Sequence, residues 1–156
     1  MRVEAVAPEP ALAELLPGAA YADAYRAVSE LRSLDAPSAA RRIMGRSPRW
    51  VRALMRLRNA LVAPFGLKPG HEGDPDHVGI FPVLSQSPGC VILGLDDRHL
   101  DFRVAVEVVP APGQRRRITV TTLVRPHNLW GRIYLKLILP FHRLIVAAMI
   151  AQAEKQ

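Results

Sequence analysis

The fold is decided by the closing stretch RPHNLWGRIYLKLILPFHR, residues 125–143. Asn128 is a residue type that often caps a helix N-terminus, so a helix is predicted to begin directly after it. On a helical wheel Arg132, Lys136 and Arg143 fall within one narrow wedge, and apolar residues cover the opposite side. The pattern predicts a long amphipathic helix that lays its apolar side on another element. A proline inside this helix, Pro140, is expected to bend it.

The segments before this helix predict the sheet that it would cover. Residues 99–109, HLDFRVAVEVV, alternate between apolar and polar positions, which is typical of a half-buried antiparallel strand. Further strands are predicted at 80–87, 90–97 and 115–125, with turns between them. A meander with a wide apolar face must be covered. The closing helix is the only element long and apolar enough to cover it.

The first part of the chain predicts one strand and two helices. Residues 1–20 are interpreted as a loose N-terminal lead-in segment with three prolines, and 21–30 as the first strand. A short helix follows at 36–45. A second, arginine-rich helix is predicted to begin at Ser47 and Pro48, an N-cap and first-turn pair. Residues 21–156 are therefore predicted to form one α+β domain. The apolar residues at helical spacing in the second helix predict a packed face: Trp50, Leu54, Leu57 and Leu61.

Composition limits the classes of protein. An apolar fraction of 49% allows a real core, and the single cysteine excludes an internal disulfide and favours a reducing cytoplasm. The N-terminus lacks the apolar run of a secretion signal. The cations of the closing stretch divide it into runs too short to span a membrane, so no transmembrane segment is expected. The polar loop at 68–77 contains metal-ligand residue types but is interpreted as solvated, and no metal or other cofactor is expected.

Three stretches carry a resemblance to a known family: WVRALMRLRNALVAPFGLK, LGLDDRHLDFRV and TTLVRPHNLWGRIYLKLILPFHRLIVAAMI. They resemble the bacterial domain-of-unknown-function family 2867, which also occurs fused behind NAD-binding epimerase-like domains. The order of elements is similar to the helix-grip fold of START-like proteins, the superfamily of the Bet v 1-like allergens and polyketide cyclases (SRPBCC). The resemblance implies a curved antiparallel sheet wrapped around a long C-terminal helix. No dinucleotide-binding domain is found in this sequence, so no NAD site is implied.

The resemblance further implies a cavity between the sheet and the closing helix, lined mainly by apolar groups. The alternative is that the same residues simply fill a core. The hydroxyl of Tyr134 needs a partner if it is buried, either a ligand or a structural group, and the structural group is favoured. His99 and Asp101 are expected on the outer, wet surface. The predicted ligand-binding residues are Phe102, Val104, Val106, Val120, Thr122, Trp130, Tyr134, Phe141, Ile145 and Met149.

Two functions remain in competition at this cavity. The first is binding of a hydrophobic small molecule without catalysis. The second is a cyclase-type enzyme, without metal or nucleotide, in which proximity and exclusion of water drive ring closure. Nucleic-acid or anionic-membrane binding through the arginine-rich helix is less favoured, because a wet helix face explains the arginines. A homodimer is left open. The candidate catalytic residues are Tyr134, His142, Asp23 and Tyr25.

Overall fold

The computed structural model describes residues 1–45, 47–65, 76–79 and 81–155. The chain is an α+β domain built from one antiparallel sheet, one long C-terminal helix and two shorter helices. The strands are β1 (Val3–Val6), β2 (Tyr21–Ser29), β3 (His77–Val78), β4 (Phe81–Gln86), β5 (Cys90–Asp96), β6 (Leu100–Ala111) and β7 (Arg115–Pro126). The helices are α1 (Ala36–Met44), α2 (Arg49–Val62) and α3 (Leu129–Gln152).

The sheet has seven strands in the order β1-β2-β7-β6-β5-β4-β3. The predicted meander is confirmed, because β5, β6 and β7 follow one another in the sheet as they do in the chain. β2 lies on the other side of β7 and extends the same surface. The sheet is curved and open, and with α3 and the short helices it is consistent with a helix-grip fold, as expected.

The hydrophobic core lies on the inner face of this sheet. The alternation in β6 places Val104 and Val106 on that face, and the opposing β7 positions include Val120. The small residues of α1 allow this helix to approach the sheet closely. The end of α3 completes the core with Ile150, which is fully buried. Burial of apolar surface on this scale is the main force that holds sheet and helices together.

The N-terminal lead-in is part of the sheet, which differs from the prediction of a loose segment. Val3–Val6 pairs with β2 as an antiparallel edge strand, and a 3-10 turn follows at Pro10–Leu15. Leu16 is 2% exposed. The Arg125 guanidinium donates a hydrogen bond to the carbonyl of Pro17 at 2.8 Å. The segment therefore packs on the sheet through backbone pairing, a buried leucine and an arginine contact.

The start of α3 is fixed closely against the sheet. The side chain of Asn128 accepts a hydrogen bond from the amide of Gly131 at 3.0 Å, so the predicted N-cap is confirmed. A Cβ atom on Gly131 would meet the carbonyl oxygen of His99 at 2.0 Å. Only glycine permits this approach of the first helical turn to the beginning of β6. The start of α2 differs by one residue from the prediction. Ser47 was predicted as the N-cap, but the N-cap is Pro48 and no side chain caps the helix.

Candidate functional site

An apolar groove lies between α2 and α3. It has a volume of about 560 Å³, and His99 and Leu100 from the beginning of β6 contribute to its lining. Its lining is almost entirely hydrophobic. A concave apolar site of this size falls within the range that small-molecule sites occupy. The remaining lining residues are Leu54, Met55, Leu57, Arg58, Trp130, Ile133, Tyr134, Leu137, Ile138, Phe141 and Ile145.

The groove exists because the apolar sides of its two helices are only partly covered. Among the described side chains of α2, Val51 is buried, at 2% exposure, whereas Trp50 and Leu57 are 45% and 55% exposed. The predicted packed face of α2 is therefore largely open, and Leu61 of that set lies outside the described side chains. In α3, Leu137 and Phe141 are also exposed. Apolar side chains left in water on two neighbouring helices form a surface that favours an apolar occupant.

One polar contact crosses the groove. The Nε atom of Arg58 donates a hydrogen bond to the hydroxyl of Tyr134 at 2.9 Å, and its guanidinium carbon lies 5.6 Å from the centre of the tyrosine ring. Arg58 also donates to the side-chain oxygen of Asn59 at 2.9 Å. The hydroxyl of Tyr134 therefore has a structural partner, which is the favoured alternative from the sequence. That partner is a side chain of α2 and it brings a positive charge into the lining.

The groove is not where the sequence placed the cavity. Trp130, Tyr134, Phe141 and Ile145 do line it, as lining residues contributed by α3. The strand residues expected opposite them pack against α1 and the end of α3 and fill the inner face of the sheet. The core thus occupies the space between sheet and helix, and the open space lies between two helices. The buried core residues are Val104, Val106 and Val120 from the strands and Met149 from α3, with Phe102 partly buried against them and Thr122 buried.

Two of the candidate catalytic residues meet on the side of α3 that faces the sheet. The Nε2 atom of His142 lies 3.2 Å from Oδ2 of Asp23 and 3.4 Å from its Oδ1. The hydroxyl of Tyr21 donates to Oδ2 of the same carboxylate at 2.7 Å. Tyr25 lies two residues further along β2, on the same face, and packs against the core. Tyr134 lies apart from this cluster.

The surroundings of this cluster change the proton affinity of its tyrosines. Burial raises the pKa of Tyr21 to about 12, and the hydrogen bond and negative charge of Asp23 act in the same direction. Burial also raises the pKa of Tyr25, with the charge of Asp23 adding to the effect. Both phenols are therefore neutral hydrogen-bond donors at ordinary pH. None of Tyr21, Asp23, Tyr25 and His142 belongs to the lining of the groove.

Asp101 is buried, which differs from the expectation of a wet outer surface. Its side chain accepts hydrogen bonds from Arg125 at 2.7 Å and from Nε2 of His127 at 2.8 Å. Burial alone would raise the pKa of Asp101, but these hydrogen bonds hold it below its ordinary value. The carboxylate joins the beginning of β6 to the end of β7. Its role in the structure is to position the chain that leads into α3.

Sequence reasoning missed the contribution of α2 to the site. Leu54, Met55 and Arg58 are spaced as one helix face, so the pattern was visible, but it does not tell which neighbour covers that face. Tyr21 was placed on the same side as Asp23 by strand alternation, although its hydrogen bond was not expected. Within the described residues no group of histidine, cysteine and acidic side chains could hold a metal. Most of the polar loop at 68–77 lies outside those residues.

By length and composition α3 could cross a membrane, which the sequence argument did not expect. The core helix of a soluble protein passes the same test, so the finding is weak evidence for a span. Only 11% of its most apolar window is buried, however. Its last turns lie in the core, where Met149 and Ile150 are buried. α3 could not enter a bilayer along its whole length without removing those residues from the core.

The fold and the groove define an α+β sheet-and-helix domain with an apolar site between two helices. Comparison with models of known protein families shows which family this domain belongs to. The model described as "Protein of unknown function (DUF2867)" matches residues 15–149, and the chain belongs to this family. No curated protein and no solved structure gives a significant match.

Proposed function

We propose that this protein binds a hydrophobic small molecule in the groove between α2 and α3. The observation that carries the proposal is the groove itself, about 560 Å³ in volume and lined by apolar side chains from both helices. Covering these side chains with an apolar ligand removes their surface from water. Each buried leucine or phenylalanine side chain contributes roughly 1.5–3 kcal/mol when it is fully covered.

Arg58 gives the proposed ligand a second property. Among the described lining residues its guanidinium is the charged group, and it is held in place by Tyr134 and Asn59. A carboxylate or phosphate at the end of an apolar molecule would form a charge-assisted hydrogen bond with this guanidinium. The ligand class that fits best is therefore an apolar molecule with one acidic end. A ligand without such an end would still gain the apolar contacts.

The first experiment is native mass spectrometry of freshly purified protein. We expect an added mass that is lost on denaturation and that extracts into organic solvent. A fluorescent fatty acid should bind saturably, and Ile138→Trp, which fills the groove, should weaken this binding at least about 10-fold. Leu84→Trp on β4 is the matched control, because Leu84 is exposed and lies outside the groove. Equal affinity in the wild type and the Ile138 variant would contradict the proposal.

A second candidate function is the cyclase-type enzyme. The observation in its favour is the contact between His142 and Asp23, with the neutral phenol of Tyr21 on the same carboxylate. A histidine oriented by a carboxylate is a common acid–base arrangement. The observation against it is that this cluster lies outside the groove lining. We therefore place the binding function first. A Tyr134→Phe or His142→Asn variant that abolished turnover of a reactive polyketide chain would reverse the order.

We also propose that this family is related to START-like helix-grip proteins. The support is the curved antiparallel sheet with a long C-terminal helix and two helices after the second strand. We place the protein in the cytoplasm because its only cysteine, Cys90, is free. Neither proposal affects the experiments above. A solved structure of this family and fractionation of cells would test them separately.

A further inference from the structure

A continuous apolar ridge runs along the solvent side of α3. We define the apolar ridge as Leu129, Ile133, Leu137 and Leu144. Their exposed fractions are 68%, 41%, 68% and 64%. The spacing of three or four residues, or multiples of it, places them on one face of the helix. The ridge extends over about 22 Å at 1.5 Å per residue; Ile133 and Leu137 also line one edge of the groove, whereas Leu129 and Leu144 lie outside it.

Positive charges flank this ridge on one side. Arg132 and Lys136 are exposed and Arg143 follows on the same wedge of the helix. The neighbouring helix α2 also carries exposed arginines, Arg49 and Arg52, on the side opposite its groove-lining residues. Neither α2 nor α3 contains an acidic residue. The surface therefore presents apolar side chains together with cations that no acid within either helix neutralises.

Both tryptophans of the chain are exposed, one on each of these two helices. Trp130 is 56% exposed beside the ridge, and Trp50 is 45% exposed at the first turn of α2. Tryptophan favours the boundary between lipid headgroups and hydrocarbon, because its ring is amphipathic. A helix with a cationic side, an apolar side and flanking tryptophan matches the composition of helices that lie in the plane of a membrane surface.

We propose that the ridge of α3, with the adjacent cations, docks this protein on the surface of an anionic membrane. The helix lies in the interface and does not span it, because its last turns remain in the core through Ile150. Charge complementarity selects this occupant. A second copy of the chain would bring cations against cations, and nucleic acid would leave the leucines in water. The proposal goes beyond ligand binding and does not depend on the groove being occupied.

The experiment is vesicle binding by the full chain. Vesicles of phosphatidylcholine with phosphatidylglycerol are compared with phosphatidylcholine alone, by co-sedimentation and by tryptophan fluorescence. We expect binding to the anionic vesicles with a blue shift of emission, and weaker binding as salt rises, because surface charges are screened. In a Trp50→Phe variant Trp130 is the remaining tryptophan, so the blue shift of emission reports on the surroundings of Trp130. Binding of equal strength to both vesicles, or none to either, overturns the proposal.

Two pairs of substitutions measure separately what the cations and the apolar ridge contribute to vesicle binding. Arg132→Gln with Lys136→Gln should weaken binding to anionic vesicles roughly 30-fold, since each cation near such a surface contributes about 1 kcal/mol. Leu129→Ser with Leu144→Ser should weaken it at least about 10-fold. The matched controls are Arg98→Gln and Leu84→Ser, which are exposed elsewhere on the protein. Equal losses in the controls overturn the proposal.

Two further readouts complete the test. Circular dichroism checks that each variant keeps its fold, and Ile138→Trp, which fills the groove, should still bind vesicles. Vesicle binding without fatty-acid binding would separate this inference from the proposed function. Size-exclusion chromatography reports on self-association. A stable dimer that Leu144→Ser converts to a monomer would overturn membrane docking in favour of a contact between two copies.

Discussion

Arg58 in α2 donates a hydrogen bond from its Nε atom to the hydroxyl of Tyr134 in α3 at 2.9 Å. This bond joins the two walls of the groove. It is a polar side-chain contact between elements that otherwise face each other with apolar side chains. The relative position of the two helices therefore depends partly on a pair of residues that are 76 positions apart in the chain.

We expect Tyr134→Phe to keep the fold and to weaken the coupling between the two helices. The lost hydrogen bond contributes about 0.5–1.5 kcal/mol, typical of a partly buried polar contact. Urea denaturation of Tyr134→Phe, Arg58→Met and the double variant measures the interaction free energy in a double-mutant cycle. A coupling near zero would mean that the contact does not stabilise the protein. Fatty-acid binding by the same variants shows whether the pair also orients a ligand.

We expect Asp101→Asn to destabilise the protein at neutral pH by roughly 1–3 kcal/mol. The change removes a carboxylate that accepts hydrogen bonds from Arg125 and His127. Hydrogen bonds to charged groups contribute about 1.5–3 kcal/mol to the free energy of unfolding. The control is Asp96→Asn, because Asp96 is exposed and its ion pair with Arg103 lies at the surface. Its effect should stay within about 0.5 kcal/mol. Comparable losses in both variants would contradict the special role of Asp101.

The same residue predicts a pH dependence. The pKa of Asp101 is lower in the folded protein than in the unfolded chain, because the hydrogen bonds outweigh the opposing effect of burial. Its contribution to stability is therefore present above the unfolded pKa and is lost as the pH falls through the folded pKa. The free energy of unfolding should fall less steeply with acid in Asp101→Asn than in the wild type. Parallel curves would contradict this account.

We expect Gly131→Ala to destabilise the protein by about 1–3 kcal/mol. Within a helix this change normally stabilises by up to about 1 kcal/mol. Here the added Cβ atom would meet the backbone carbonyl of His99, which cannot move without shifting β6. Gly89→Ala is the control, since its Cβ atom would stand 3.9 Å from the carbonyl oxygen of Val108, which is an ordinary van der Waals contact. Thermal unfolding of both variants gives the comparison, and a stabilised Gly131→Ala would contradict it.

We expect Asp23→Asn to lower the pKa of Tyr21 from about 12 while leaving it above the ordinary value. Burial is the largest cause of the shift and remains, whereas the charge of Asp23 is removed. The neutral phenol contributes stability that is fully present below pH 10.0 and is lost as the pH rises towards about 12. Phenolate absorbance after a rapid pH jump measures the titration, with Tyr21→Phe identifying its component. An unchanged midpoint would contradict the proposed contact.

Strand alternation and helix capping were sufficient to predict most of the sheet and α3. β6 alternates between apolar and polar residues as a half-buried strand does, and Asn128 caps α3 as its residue type suggested. These features are local, so the sequence carries them directly. β1 was missed because Val3–Val6 is a short edge strand whose pairing with β2 depends on residues 21–29, far along the chain.

The position of the candidate site could not be predicted in the same way. The apolar residues of α2 and α3 were recognised as faces, but a face does not specify which element covers it. The small residues of α1, together with Ile43, take the place on the sheet that α3 was expected to cover along its length. Asp101 was assigned to the correct face of β6. Its burial follows from Arg125 and His127, which a single strand pattern does not contain.

The attachment of α3 at both ends has a kinetic consequence. Gly131 holds its first turn against His99, and Ile150 holds its last turns in the core. The groove between this fixed helix and α2 is already open to solvent, because Leu57, Leu137 and Phe141 remain exposed. A ligand can therefore enter without breaking the bond from Arg58 to Tyr134, and its association rate should rise in proportion to ligand concentration.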